Sequence, residues 1–441
     1  MKTVLISLLS LLVLCMTLSG QKPGSREEVI RRNAEKSLEL CMDLHSSPEL
    51  SFMETGTAAK LAAALRLAGF EVREQYGGNN VVGIFRNGDG PVILLRTDMD
   101  ALPVEEKTGL EFASRVKAVD INGNTVPVMH ACGHDIHMSV WLGTIRSLVE
   151  LKKSWKGTLL VIAQQAEEMS GGAGAALENG LYRDYPVPDL ALAFHINPAL
   201  GSGQIGLVPG PVFAGVRSAR ITVYGKGGHG AYPEKCIDPV VIAARIILDI
   251  QTIVSRELSP LEPVVVTVGS IHGGTRPNII PDEVNMELTL RYYSDEAIER
   301  VIAALERIST HAALMSGMPA DRIPLVLVDP NETPPVINDP GLTARIRSIA
   351  ENELGRENVL TLSPEMVGED FGRYGRTAEE VPVCLIWLGS TDPDLLRKLE
   401  EEGKEPAPLH SPYLDPDYKK TITTGIRVMV SNVIDLMGSA D

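Results

Sequence analysis

The chain has 441 residues, 44% of them hydrophobic and 22% charged, which is enough for two or three domains with cores of their own. Lys and Arg number 41 against 57 Asp and Glu, and the net charge of -16 excludes recognition of nucleic acid or an anionic membrane surface by charge. Five cysteines (Cys15, Cys41, Cys132, Cys236, Cys384) are odd in number and widely spaced, which argues against a disulfide framework.

The first twenty residues carry Lys2, an apolar run from Val4 to Val13 that continues to Leu18, and then Ser19-Gly20-Gln21. This pattern reads as a secretory signal peptide over residues 1–20, cleaved near Gly20, and implies a secreted or periplasmic protein. The run is shorter than the ~20 residues a spanning helix needs, and no later segment is apolar for long enough to make a stable membrane span. Cys15 raises lipoprotein anchoring as an alternative, but Leu14 stands where such signals place a small residue.

Apolar residues at helical spacing predict helices over Arg26–Leu44 and Thr55–Leu67. The period then changes: Val81–Arg86, Val92–Arg96, Thr158–Gln164, Leu190–Phe194 and Val383–Leu388 are short β-rich runs, alternating with helical patterns at Met138–Leu151 and Ala173–Leu181. This alternation implies an α/β domain around a mainly parallel, buried central sheet. Between Gly215 and Val328 the order is strand (Ser218–Tyr224), helix (Pro239–Ile253), two strands (Val264–Ile271, Val284–Tyr292), helix (Ala297–His311) and strand (Ile323–Val328). That βαββαβ order is ferredoxin-like. We therefore expect a discontinuous catalytic domain, residues 21–214 and 330–441, interrupted by an α+β lid or dimerisation domain at 215–329.

Met129 to His137, reading MHACGHDIH, places three imidazoles and a thiol in nine residues. Cys132 and His134 flank Gly133, and two positions one residue apart in extended or looped backbone point the same way, a spacing that suits two ligands on one ion. Asp98 and Asp100 follow the strand PVILLR, Glu167 and Glu168 follow TLLVIAQQ, and His195 follows DLALAF, so each group sits at a strand's carboxyl end, where open α/β sheets bind ligands. His410, in APLHSP, is a further candidate about twenty residues beyond the last strand.

RTDMDALP (Arg96–Pro103), HACGHDIH (His130–His137), QAEE (Gln165–Glu168), FHI (Phe194–Ile196), GGHGAYP (Gly227–Pro233), TRPNIIPDEV (Thr275–Val284), GEDF (Gly368–Phe371) and LHSP (Leu409–Pro412) occur in this order along nearly the whole mature chain. Together they resemble the amidohydrolase branch of the aminoacylase/carboxypeptidase family of binuclear metallopeptidases, which contains hippurate hydrolases, N-acyl-amino-acid amidohydrolases and hydrolases of auxin conjugates. The resemblance implies a zinc-exopeptidase-like catalytic domain. It makes Cys132, His134, Glu168, His195 and His410 ligands of two divalent ions, Mn2+ or Zn2+, and Glu167 the general base. Asp98 and Asp100 become orienting groups behind the ligands.

The same resemblance places Asn278 and Arg291 of the insert at positions that hold a substrate's carboxylate; the plain alternative is a turn asparagine and a surface ion pair. It places His229 as an oxyanion-stabilising group, often in a neighbouring subunit's site, and so implies a homodimer formed through the insert. Met366–Tyr374 forms a pocket wall or caps a following helix. The expected activity is hydrolysis of N-acyl amino acids, hippurate-like substrates among them. A metallo-exopeptidase or N-deacetylase of the same fold is the near alternative, and a non-catalytic secreted metal-binding protein the distant one; the latter has no need of a base beside a ligand.

Overall fold

The computed structural model describes residues 25–331 and 333–438. The signal-peptide reading of residues 1–20 and the lipoprotein alternative at Cys15 therefore lie outside the described residues. Among the described residues no helix is long and apolar enough to cross a membrane.

The first part of the chain forms α1 (Arg26–Ser46), α2 (Thr55–Leu67), β1 (Glu71–Arg73), β2 (Val81–Asn87), β3 (Val92–Asp98), α3 (His134–Glu150), β4 (Gly157–Gln164), β5 (Leu190–Gly201) and β6 (Ile205–Leu207). The middle forms β7 (Gly215–Tyr224), α4 (Pro239–Thr252), β8 (Val264–His272), β9 (Glu283–Tyr292), α5 (Asp295–Met315) and β10 (Leu325–Val328). The last part adds α6 (Pro340–Leu354), β11 (Val359–Thr361), β12 (Val383–Thr391) and α7 (Tyr418–Met437).

Strands from the first and last parts make one eight-stranded sheet in the order β1-β2-β4-β3-β5-β12-β6-β11, whose four central strands are parallel. Period two sorts its side chains into two cores. Ile93, Leu95, Leu159, Val161, Cys384, Ile386 and Leu388 enter the core under α1, α3 and α7, while Leu94, Leu160, Ile162, Leu385 and Trp387 enter the core on the opposite face. A sheet buried on both faces needs apolar residues at every position, which is why these strands read as unbroken hydrophobic runs.

The middle part builds its own four-stranded sheet, β8-β9-β7-β10, antiparallel at every pairing, with a separate core against α4 and α5. Its entry and exit strands are tied together where Val216 and Thr333 exchange backbone hydrogen bonds of 2.7 and 3.0 Å.

Several expected boundaries shift, four of them as follows. The helix expected from Met138 starts at His134, because Gly133 at φ 77° supplies a left-handed N-cap that turns the chain into the helix a turn earlier. The helix expected over Ala173–Leu181 breaks at Gly180 (φ 102°) into Gly172–Glu178 and Leu181–Asp184. Strand β5 runs on past Phe194 to Gly201, and β10 begins at Leu325 rather than Ile323.

Candidate active site

Strand β5 pairs with β3 only as far as Leu192 yet continues to pair with β12 beyond it, so the sheet opens between β3 and β5 beside His195, while β3 and β4 stay paired to their carboxyl ends. Asp98 ends β3, Glu167 and Glu168 follow β4, and the Cys132-Gly133-His134 turn closes over the opening. A Cβ on Gly133 would lie 2.3 Å from Ile196 Cδ1, and its φ of 77° is one that other residues rarely adopt, so glycine suits the close approach of this turn to β5. His410 joins through its backbone N–H, which donates to Ala131 O at 2.7 Å, and it too adopts a positive φ of 64°.

The expected ligands converge. Donor atoms of Cys132, His134 and His195 lie within 4.8 Å of one another, as do those of Cys132, Glu168 and His410, and those of His134, Glu167 and Glu168. His195 uses Nδ1 on the Ile196 carbonyl at 2.8 Å, which leaves Nε2 directed at Cys132 Sγ 3.5 Å away. His410 Nε2 lies 3.4 Å from Glu168 Oε1. His137 falls in the same cluster but is already committed, since its Nε2 accepts from Ile196 N–H at 3.0 Å and its Nδ1 meets Asp98 Oδ1 at 2.8 Å.

These donors fit a pair of cations. Among the described residues, both ring nitrogens of His134, and Glu168 Oε1, are buried without a hydrogen-bond partner, a state that buried polar atoms rarely keep. Burial works against a charged His134 ring, but Asp98, Asp100 and Glu168 outweigh it and raise its pKa to about 10. The field that holds a proton there equally favours a metal cation. Burial, then Glu168 and Glu167, push the Cys132 thiol well above its usual range, so a thiolate at this position requires a cation beside it.

Behind the donors lies a buried ionic network. Arg96 donates to Asp98 Oδ2 at 2.6 Å, Glu369 Oε1 at 2.8 Å and Asp370 Oδ1 at 3.2 Å. Although burial opposes its ionisation, Asp98 is held well below the usual carboxylate range by His134, Arg96 and His137. Glu167 goes the other way: burial, then Glu369, Glu168 and Asp370, raise its carboxyl well above the ordinary value. Two carboxylates in one site with opposite shifts suit different tasks, the raised Glu167 that of a proton acceptor and the lowered Asp98 that of an orienting group.

Asp100 does not reach the donors as a ligand. Its two oxygens accept the backbone N–H groups of Glu167 and Glu168, each at 3.0 Å, and the Ser51 hydroxyl at 2.6 Å. Glu369 both pairs with Arg96 and caps the following turn by accepting Phe371 N–H at 2.8 Å, so the GEDF segment is a wall and a cap at once.

Cys132, Glu167, Glu168, His195 and His410 open on a cleft of about 440 Å3, whose opposite wall includes Phe213, Val216 and Arg291. Arg291 is the one Arg or Lys among its lining residues, and burial alone lowers its pKa, with no carboxylate to offset it. Among the described residues the surface ion pair considered for it is not formed. Asn278 and His229 do not line this cleft. Asn278 sits in an exposed turn and its carbonyl accepts Gly230 N–H at 2.8 Å; His229 is exposed on the two-residue strand paired with Ile279–Ile280.

Sequence reasoning passed over Ser51, Glu54, Arg96, His137 and Asp370 as site residues. Arg96, His137 and Asp370 stood inside the motifs, and a charged residue inside a buried apolar strand was the available signal for Arg96. Nothing local marks Ser51 or Glu54, which reach the site only through the fold.

Residues 94–432 match the model of peptidase family M20/M25/M40. The chain is 35% identical over 356 residues, 80% of its own length and 79% of the relative's, to the N-acetyl-L-cysteine deacetylase of Bacillus subtilis (strain 168). It is 31% identical over 373 residues, 84% and 79% of the two chains, to the IAA-amino acid hydrolase ILR1-like 4 of Arabidopsis thaliana. The solved structure of the Bacillus subtilis YXEP protein, described as a dinuclear metal binding peptidase, superposes with a TM-score of 0.72 at 28% identity, covering 92% of this chain and 99% of that one.

Proposed function

From the premise that this chain belongs to peptidase family M20/M25/M40, and is a metal-dependent hydrolase of amide bonds, we propose that it cleaves the amide of N-acyl amino acids with Glu167 as general base. The observation that carries this reading is the adjacent pair Glu167 and Glu168 in one cleft: Glu168 turns an unpartnered oxygen toward His134 and His410, while Glu167 keeps a raised pKa. Cys132, His134, Glu168, His195 and His410 would hold two divalent ions, Mn2+ or Zn2+, a donor set with both thiolate and carboxylate that suits either. When bound, the ions supply Lewis-acid polarisation of the scissile carbonyl and of a water molecule.

The chain's own residues do the rest. Glu167 takes the proton from water as its oxygen bonds to the acyl carbon, and returns it to the nitrogen as the C–N bond breaks. Arg291, unpaired and facing the cleft, holds the carboxylate of the amino-acid half. Asp98 and Asp100 orient His137 and the Glu167-Glu168 backbone. His229 acts from a second copy of the chain, in a dimer formed through the inserted sheet, because it does not line the cleft of its own chain. The apolar run of residues 4–18 would export the protein to the periplasm or the medium.

Relatives named N-acetyl-L-cysteine deacetylase and N-acetyldiaminopimelate deacetylase support an N-acetyl substrate, and one named IAA-amino acid hydrolase supports a different acyl group, so the test sets hippurate-like substrates beside both. The test is release of free amino acid from N-acetyl, N-benzoyl and indole-3-acetyl amino acids, and from dipeptides, after reconstitution with Mn2+ or Zn2+. Turnover of N-acyl amino acids, with none of the matching N-acyl amines, is expected. Hydrolysis of dipeptides alone would assign an exopeptidase instead.

A further inference from the structure

After Gln164 the chain leaves the sheet, and its next four backbone N–H groups are caught one by one by side chains from elsewhere. Gln165 N–H donates to Asn80 Oδ1 at 2.8 Å and Ala166 N–H to Glu54 Oε1 at 2.7 Å, while those of Glu167 and Glu168 go to the two oxygens of Asp100. Within this elbow Ala166 has φ 48°, a left-handed conformation that an alanine side chain resists. Glu54 is fully buried, and the same Oε1 also accepts Phe52 N–H at 3.0 Å; Phe52 is itself left-handed at φ 66°. Asn79 Nδ2 closes the arrangement by donating to Phe52 O at 2.9 Å and to Glu54 Oε2 at 3.2 Å.

One carboxylate oxygen thus pins two strained residues of different segments together, immediately before the catalytic pair. Strain of this kind persists only where the surroundings over-determine it. We propose that Glu54 is a positioning residue: it holds Ala166 in the left-handed conformation that aims Glu167 at the cleft and Glu168 at His134 and His410. The inference rests on the reading of Glu167 as base and Glu168 as ligand, but Glu54, Phe52, Asn79 and Ala166 are not among the residues that line the cleft. Without Glu54, the Ala166 N–H is left buried without an acceptor and the elbow relaxes toward a right-handed turn that swings both carboxylates.

Burial, with Asp100 nearby, raises the Glu54 carboxyl to about 7, so glutamine, which keeps the accepting oxygen, is a fair conservative replacement. The experiment compares wild type, Glu54→Ala, Glu54→Gln and the double variant Glu54→Ala/Ala166→Gly in the full chain. Glu54→Ala should lower kcat on an N-acetyl amino acid by roughly 10- to 100-fold, the usual cost of removing a group that orients a metal site, with KM changed less than about 3-fold. Glutamine should restore most of kcat. Glycine at 166 should recover about 5-fold or more over Glu54→Ala alone, because glycine adopts positive φ without a clamp.

Hydrogen exchange at Ala166, Glu167 and Glu168, read without substrate, should quicken in Glu54→Ala and stay slow in Glu54→Gln. If Glu54→Ala merely lowers thermal stability while kcat and these exchange rates hold, or if glycine gives no recovery, the proposal is overturned. Activity in a parallel Glu167→Gln sample would instead overturn the base assignment, leaving the exchange result to judge the clamp alone.

Discussion

Three non-glycine residues with positive φ, Ala166, Ser170 and His410, lie in or beside the donor cluster, and Phe52 touches it through Glu54. Each such residue costs on the order of 1–2 kcal/mol, so their concentration here is the local signature of a site whose geometry outranks backbone ease. Glu167 is the residue whose chemistry is most specific. Glu167→Gln should lower kcat by about 100-fold or more while the protein stays folded and keeps its metal, measured by turnover and metal content together. Wild-type turnover would remove Glu167 from the mechanism.

A second residue-scale expectation concerns His45, buried in the last turn of α1 with Nδ1 2.8 Å from Asp135 Oδ2 and Nε2 3.2 Å from Glu106 Oε1. Burial disfavours its charge, but hydrogen bonds to Asp135 and Glu106 outweigh that and raise its pKa from 6.5 to about 10. The folded state therefore holds a proton that the unfolded chain releases near 6.5. The stabilisation is complete below that pH and is lost as pH rises from 6.5 toward about 10. Melting temperature should fall across that window, and His45→Gln should flatten the fall; an unchanged slope would show that His45 is not the group responsible.

At the scale of elements, Arg96 joins strand β3 to the Glu369-Asp370 turn more than 270 residues later, and it is the guanidinium on which three buried carboxylates depend. Removing one member of a buried charge network leaves the others uncompensated, at roughly 3–5 kcal/mol. Arg96→Met preserves apolar volume and should still lose about that much in urea unfolding, together with activity, because Asp98 loses a partner that keeps it ionised. A loss below about 1 kcal/mol would mean that the three acids simply take up protons.

On the scale of the whole molecule, the inserted sheet leaves β8 as an edge, and α4 exposes Val240, Val241 and Leu248 outside any core. Among the described residues this edge has no further strand, and in the proposed dimer a second copy covers it together with the exposed apolar residues of α4. His229→Ala should lower kcat by roughly 100-fold or more, the loss typical of an oxyanion donor, with metal content unchanged. Mixing it with Glu167→Gln then reads the geometry directly. Hybrid dimers contain one complete site if His229 acts across the interface, and activity returns; no recovery after verified subunit exchange, or a monomer in solution, would rule out the shared site.

The sequence by itself determined the α/β class, the strand and helix order of the insert and the short Cys132-Gly133-His134 spacing, because these are written in local patterns. Unbroken apolar runs in β3, β4 and β12, helical period in α1 and α5, and the short spacing of Cys132 and His134 each need only a few consecutive residues to declare themselves. The tertiary structure decided what depends on residues far apart in the chain. It committed His137 to Asp98 and the Ile196 amide, turned Asp100 from the donors to the Glu167-Glu168 backbone, and brought Arg291, but not Asn278 or His229, to the cleft. It also placed Glu54, 112 residues before Ala166, against a strained amide. A buried hydrogen bond between distant segments carries no periodic trace, since one acceptor at one position satisfies it, and only packing the chain shows which donor it meets.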